Sequence, residues 1–247
     1  MGFDVEVMGL AKSPAEPSED AAAFDLGRGR IALSDGASRA LGSREWARCL
    51  VQTFVAEPPS ELTDATVRAW AAAAGREWTA SLEIPDDAPP YVRDAAARGS
   101  FATLLGIVVD PAPPGANSVW WRAVAVGDTC LFALRDEMVV EAFPLDSADQ
   151  FGSVPDLVPT SGPEWENSLT ELRTTRGSCG PGDVLLLMTD ALAKWALGRA
   201  PHGGDVWRFL SRVVPDELEN TVCALWARGE LEQDDVTLVR CRAAVTA

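Results

Sequence analysis

Carboxylates stand at the ends of predicted strands at four separate places in this chain. Glu19-Asp20 immediately precedes the run that begins at Ala21, and Asp35 follows the run Arg30 to Ser34. Asp190 follows the run Asp183 to Met188 and opens a helical pattern, while Asp234-Asp235 precedes the closing run Val236 to Cys241. Oxygen-only ligands brought together by a rigid sheet suit Mg2+ or Mn2+, hard cations that keep several waters. Two such ions about 3.5–4 Å apart lower the pKa of a shared water and neutralise charge on a phosphoryl group. This is hydrolytic chemistry that needs neither a histidine nor a covalent intermediate. Taken singly, each aspartate also reads as a turn or helix cap, Asp190 above all, because its oxygen satisfies free backbone N–H groups. The metal reading depends on the four occurring together.

Other chemistries find little support. His202 is the only histidine, placed between helical patterns in Pro201-His202-Gly203-Gly204, so a Ser-His-Asp or Cys-His constellation has no base to draw on. The stretch Gly177 to Gly182 carries glycines but leads into a strand, not into the helix start of a phosphate-binding loop. Five cysteines, widely spaced and without a C-x-x-C pair, fit reduced thiols better than a disulfide framework or zinc site. With 37 acidic and 21 basic side chains the net charge is −16, which disfavours nucleic acid and anionic membrane surfaces as partners. Only Lys12 and Lys194 are lysines; the other basic residues are arginines. The first residues show neither a basic region nor a long apolar stretch, and no run reaches membrane-spanning length, so a cytoplasmic protein is expected.

The elements that must position these carboxylates follow from periodicity. Strands are expected at Phe3 to Met8, then at Ala21 to Leu26 and Arg30 to Ser34 across a Gly27-Arg28-Gly29 turn. Helical spacing of Leu41, Trp46, Leu50, Val51 and Phe54 predicts a helix from about Ser38 to Val55, and a second runs from Ser60 to about Leu82. Ile84 to Pro90 reads as a loop. Strands follow at Phe101 to Val109, Val119 to Val126, Cys130 to Leu134 and Met138 to Phe143, then an irregular excursion over about 144–165. After a short strand at Glu171 to Thr175 comes Asp183 to Met188, whose consecutive apolar residues imply burial on both faces. Helices at about Asp190 to Leu197, Asp205 to Val214 and Asp216 to Arg228 precede the last strand. Hairpin-linked strands with helices grouped apart from them imply an α+β domain with antiparallel sheets, and no linker divides 1–247 into two domains.

At this level of detail the sequence resembles the metal-dependent protein phosphatases, the 2C-type Ser/Thr phosphatases, in a divergent bacterial-type branch. Six motifs come in the family order: Glu19-Asp20-Ala21, Leu33-Ser34-Asp35-Gly36, Gly99-Ser100-Phe101-Ala102-Thr103, Val126-Gly127-Asp128-Thr129, Gly182 to Asp190, and Asp234-Asp235-Val236-Thr237. The resemblance implies a four-layer α-β-β-α sandwich, two packed antiparallel sheets flanked by helices, with two or more Mn2+ or Mg2+ ions at one edge. It implies metal ligation by Glu19, Asp20, Asp35, Asp190 and Asp234 and by the Gly36 carbonyl, with Asp35 and Asp190 central to catalysis and Asp128 at a third metal. The implied reaction is hydrolysis of phosphoserine or phosphothreonine in proteins, with phosphorylated proteins and a cognate Ser/Thr kinase as partners, and the excursion over 144–165 as the flap.

The sequence also departs from the family. Ala15 stands where members often carry a phosphate-binding arginine, leaving Lys12, the only base before Asp20, as its substitute or else as an exposed loop lysine. Ala37 and Ala191 replace a histidine and a glycine, and Asp235 replaces an asparagine and adds a negative charge. These losses weaken phosphate binding more than metal binding, and they raise the alternative of a catalytically weak module that docks a kinase or phosphoprotein.

Overall fold

The strand Val184–Met188 is buried at every position, and its two faces enter different cores. In the computed structural model, which describes residues 2–38, 40–85, 87–111, 115, 117–152, 155–160, 171–200 and 205–244, Leu185 and Leu187 pack between two sheets. Val184, Leu186 and Met188 face outward onto helices. Each such apolar side chain contributes roughly 1.5–3 kcal/mol on burial, so a strand of this kind is held at one depth and one register.

In chain order the elements are β1 (Gly2–Leu10), β2 (Ala21–Asp25), β3 (Arg30–Ser34), α1 (Ser43–Ala56), α2 (Asp64–Ser81), α3 (Pro90–Arg98), β4 (Phe101–Ala102), β5 (Leu104–Asp110), β6 (Val119–Val126), β7 (Cys130–Arg135), β8 (Met138–Phe143), β9 (Val158–Pro159), β10 (Arg173–Cys179), β11 (Val184–Met188), α4 (Asp190–Arg199), α5 (Val206–Arg212), α6 (Pro215–Arg228) and β12 (Val236–Ala244). One sheet has the order β1-β12-β11-β7-β8, the other β10-β6-β5-β3-β2, and β4 and β9 form a small third ladder. Neighbouring strands pair antiparallel throughout.

Ile31, Leu33, Leu105, Ile107 and Trp121 of one sheet meet Leu131, Leu185, Leu187 and Val239 of the other. Helix α1 buries Trp46, Ala47, Leu50, Val51 and Phe54, a stripe at i, i+4 and i+8 spacing, against the outer face of the β2–β3–β5 side. On the opposite side α4, α5 and α6 bring Leu192, Leu210 and Val222 onto Phe132 and Leu186. The expected four layers, α-β-β-α, are therefore present. No helix among the described residues is long and apolar enough to cross a membrane.

The differences from the sequence reading are local. Helix α1 starts at Ser43, not near Ser38, because Gly42 turns the chain through φ 72° just before it. Pro90–Arg98, expected in part as loop, is helical, yet it buries no side chain and so carries no apolar stripe to read. Strand β10 runs on to Cys179 through Gly177, where a Cβ would lie 2.5 Å from the Trp121 ring. The expected strand Phe101 to Val109 is divided at Thr103. The excursion after Pro144 contains a 3-10 turn at Ala148–Gln150 and the strand β9, which pairs with β4; residues 153–154 and 161–170 lie outside the described residues, as does His202.

Candidate metal centre

Antiparallel register gathers the strand-end carboxylates at one end of the sandwich. Ala21 pairs with Ser34, so Asp20 and Asp35 leave the same end of the β2–β3 hairpin. Leu10 pairs with Val236, Met188 with Leu238, and Cys130 with Met188. The residues before β12, after β11 and before β7 therefore converge as well, bringing in Asp234, Asp235, Asp190 and Asp128. Each sits just beyond the ladder, where a side chain is free of pairing but its backbone is not.

Threonines hold Asp35 by its backbone and Asp20 by its carboxylate. Asp35 N donates to Thr103 Oγ1 at 2.9 Å while Thr103 N donates to Asp35 O at 2.8 Å. Thr103 Oγ1 lies 2.6 Å from Thr129 Oγ1, next to Asp128. Thr189 Oγ1 donates to Asp20 Oδ2 at 3.1 Å and accepts Thr237 N at 3.0 Å. Gly36 is bridged to Ala102, and a Cβ there would lie 2.8 Å from the Ser43 backbone. That close approach brings the start of α1 alongside the cleft, and Ser43 Oγ donates to Glu19 Oε1 at 2.7 Å.

The carboxylates repel one another. Burial, followed by the charges of Asp20, Asp190, Asp234 and Asp128, raises Asp35 well above the ordinary carboxylate range. Burial pushes Asp20 up to about 7, where Asp235 and Asp190 add to it and hydrogen bonds from Thr237 and Thr189 oppose it. Burial and Asp190 push Asp128 to about 7. Burial, Asp234 and Glu232 take Asp190 to about 6 against a hydrogen bond from the Ala191 backbone.

A divalent cation would remove this repulsion, and the donor set suits one. Asp20 Oδ1 is buried with no hydrogen-bond partner among the described residues. An orphaned carboxylate oxygen among other acids suits a cation as its partner. As the side chains stand, no three His, Cys, Asp or Glu groups among the described residues converge on one ion position. The Lys12 ammonium instead supplies positive charge, 3.1 Å from Glu19 Oε2 and 3.1 Å from Asp234 Oδ1.

Lys12 is not the solvent-exposed loop lysine of the alternative reading. Its side chain is 21% exposed, and its ammonium also donates to Ser38 Oγ at 2.8 Å. Burial lowers its pKa, but hydrogen bonds to Asp234 and Glu19 outweigh this and hold it above the ordinary lysine value. Glu19 moves oppositely: burial raises it, while hydrogen bonds from Ser38, Ser43 and Lys12 bring it below the usual range. Ala15 is exposed in the turn that follows. Glu19, Asp20, Asp35, Gly36, Asp128, Asp190 and Asp234 thus gather at one end of the sandwich, and Asp190, the first residue of α4 after the cap position Thr189, accepts the Ala191 N–H at 2.6 Å.

Sequence reasoning missed the support around this set: Ser38, Ser43, Thr129, Thr189 and the role of Asp235. The Asp235 carboxylate accepts Lys12 N at 2.8 Å and Glu19 N at 2.7 Å, so it anchors both ends of the loop before β2. The only signals for these residues are the hydroxyls beside the motif aspartates, Thr189 before Asp190 and Thr129 after Asp128.

Comparison with known proteins places this geometry. No curated protein sequence is close enough to the chain to count as a match. Among solved structures, the Mycobacterium tuberculosis serine/threonine phosphatase PstP/Ppp is 18% identical over 99% of this chain and 100% of its own, with a TM-score of 0.65. PppA, a regulatory component of the type VI secretion system in Pseudomonas aeruginosa, is 19% identical over 98% of each chain, with a TM-score of 0.62. A PstP catalytic domain in complex with two manganese ions is 18% identical over 99% of each chain, also at 0.62. At these identities the likeness establishes the fold, and it is the sandwich described above. The family follows from the sequence itself: residues 13–226 match protein phosphatase 2C, and the chain belongs to that family.

Proposed function

We propose that the carboxylate cleft is the catalytic centre of this phosphatase, with Asp20, Asp35, Asp190 and Asp234 as metal ligands and Asp35 and Asp190 closest to the reaction. Metal-dependent hydrolysis of phosphoserine and phosphothreonine is the activity of the family to which the chain belongs. The observation that carries the assignment is the meeting of these carboxylates in one cleft, with Asp20 Oδ1 buried and unpartnered. Glu19, the Gly36 carbonyl and, at a third ion, Asp128 complete the proposed set, supported by the charge coupling of Asp35 to Asp128 and by the Lys12 bridge from Glu19 to Asp234. The pair of manganese ions in the related PstP domain supports two Mn2+ or Mg2+ ions here.

Bound cations would supply Lewis acidity, lowering the pKa of a water and neutralising phosphoryl charge. The residues of the chain do the rest. Thr189 and Thr103 hold Asp20 and the Asp35 backbone in fixed orientations. Lys12, once released from Glu19 and Asp234, would serve a substrate phosphate in place of the arginine absent at Ala15. No observation favours a docking module over an enzyme.

The partners that fit are proteins phosphorylated on serine or threonine by a kinase, in the cytoplasm, acted on by the whole of 1–247 as one domain. The test is hydrolysis of a phosphothreonine peptide with and without millimolar Mn2+, alongside Asp35→Asn and Asp190→Ala. Metal-dependent release that both variants lose is the expected outcome. Release that persists in either variant would refute the site assignment.

A further inference from the structure

The chain has only two lysines, and both stand at the carboxylate cleft. Lys194 Nζ donates to Glu232 at the rim, 3.1 Å away. Lys12 reaches further in, and its contacts use all three ammonium donors: Glu19 Oε2 and Asp234 Oδ1 at 3.1 Å and Ser38 Oγ at 2.8 Å. Its main chain is pinned separately, with N donating to Asp235 Oδ1 at 2.8 Å and O accepting from Gln233 Nε2 at 3.3 Å. The anchor is thus in the backbone, and the side chain, with four rotatable bonds, is free to leave without unfolding the loop. Asp234 is one of the proposed ligands and Glu19 shares the same ammonium, so an ammonium and a divalent ion compete for the Asp234 carboxylate.

We propose that Lys12 is a built-in counter-cation of the metal centre, which holds Glu19 and Asp234 together when metal is absent and is displaced from Asp234 as a divalent ion binds. This rests on reading the cleft as a metal centre. It makes Lys12 set a threshold: metal loading has to overcome the resident ammonium, and the displaced ammonium then stands at the cleft mouth for the phosphate. Metal loading and phosphate binding are thereby linked through one side chain.

The test is calorimetric titration of Mn2+ into the metal-stripped full chain, with Lys12→Met, Lys12→Gln, Lys12→Arg and Asp35→Asn beside the parent. Removing one positive charge from partly exposed carboxylates should tighten Mn2+ binding about tenfold in both neutral variants and change it little in Lys12→Arg. The metal-free neutral variants should melt at lower temperature than the parent, having lost the counter-charge. A purely structural lysine would lower both metal-free stability and affinity, so the opposite signs carry the distinction. Lys12→Gln keeps hydrogen bonding without charge and decides the matter if Lys12→Met does not fold. Neutral variants that bind Mn2+ no more tightly than the parent, with binding lost in Asp35→Asn, would overturn the proposal and leave the metal centre standing. Absence of Mn2+ binding in parent and neutral variants alike would overturn both.

Discussion

Thr189 Oγ1 donates to Asp20 Oδ2 at 3.1 Å, and the same hydroxyl accepts the Thr237 N–H at 3.0 Å. One oxygen of Asp20 is therefore fixed by the β11–β12 ladder, and the other is left buried and unpartnered. Removing an outer-shell partner of a ligating carboxylate typically weakens metal binding about 10–100-fold. Thr189→Val keeps the β-branched shape and loses the donor, so Mn2+ affinity measured by calorimetry should fall by that order. Thr189→Ser should restore most of it. An affinity in Thr189→Val equal to the parent's would remove Thr189 from the support of the centre.

Much of this was legible in the sequence, because the site is built where strands end. The unbroken apolar run of β11 and the hairpin between β2 and β3 mark the buried strands, and a strand's last residue fixes where its aspartate emerges. What was not legible depends on contacts across the fold. Helix α3 buries nothing, so no periodicity betrays it. Gly177 reads as a loop residue, yet it lies within β10 because Trp121 needs the space. Lys12 reads as a substitute phosphate-binding residue or else as an exposed loop lysine, and only the pairing of β1 with β12 brings it to Asp234, 222 residues away.

Asp35 is raised by its own burial and then by four neighbouring carboxylates. Neutralising it relieves that repulsion in the metal-free protein, so Asp35→Asn should be more stable than the parent without metal. A gain of about 1 kcal/mol corresponds to roughly 2–4 °C for a chain of this length. The stabilisation that Mn2+ gives the parent, a consequence of binding the native state alone, should vanish in the same variant. Thermal melts with and without Mn2+ read both effects, and a variant that is destabilised without metal would contradict this account of the cleft.

The raised aspartates also set a pH dependence. Asp20 and Asp128 at about 7 and Asp190 at about 6 lie above the unfolded value near 3.9. Between those limits the native state binds more protons than the unfolded chain, so stability falls as pH rises. The metal-free protein should lose melting temperature from about pH 5 to about pH 7.5, and saturating Mn2+ should flatten the slope by occupying the deprotonated form. Asp35→Asn should flatten it in part without metal. A slope unchanged by Mn2+ would mean that these carboxylates do not govern it.

Asp235 replaces the family's asparagine with a second function. Its two oxygens accept Lys12 N and Glu19 N, at 2.8 and 2.7 Å, closing the loop that carries both residues into the cleft. An asparagine offers one acceptor oxygen and an NH2 group that cannot receive the second N–H. Asp235 is 4% exposed, so the orphaned donor would be shielded from much of the water that could replace its partner. Leaving a buried donor unpaired costs about 1–3 kcal/mol. Asp235→Asn should therefore lower the melting temperature by several degrees and Asp235→Ala by more, despite the removal of a negative charge from a crowded acidic cleft. If relief of repulsion were the larger effect, Asp235→Asn would melt higher than the parent, and the carboxylate would be a cost to the fold, not its anchor.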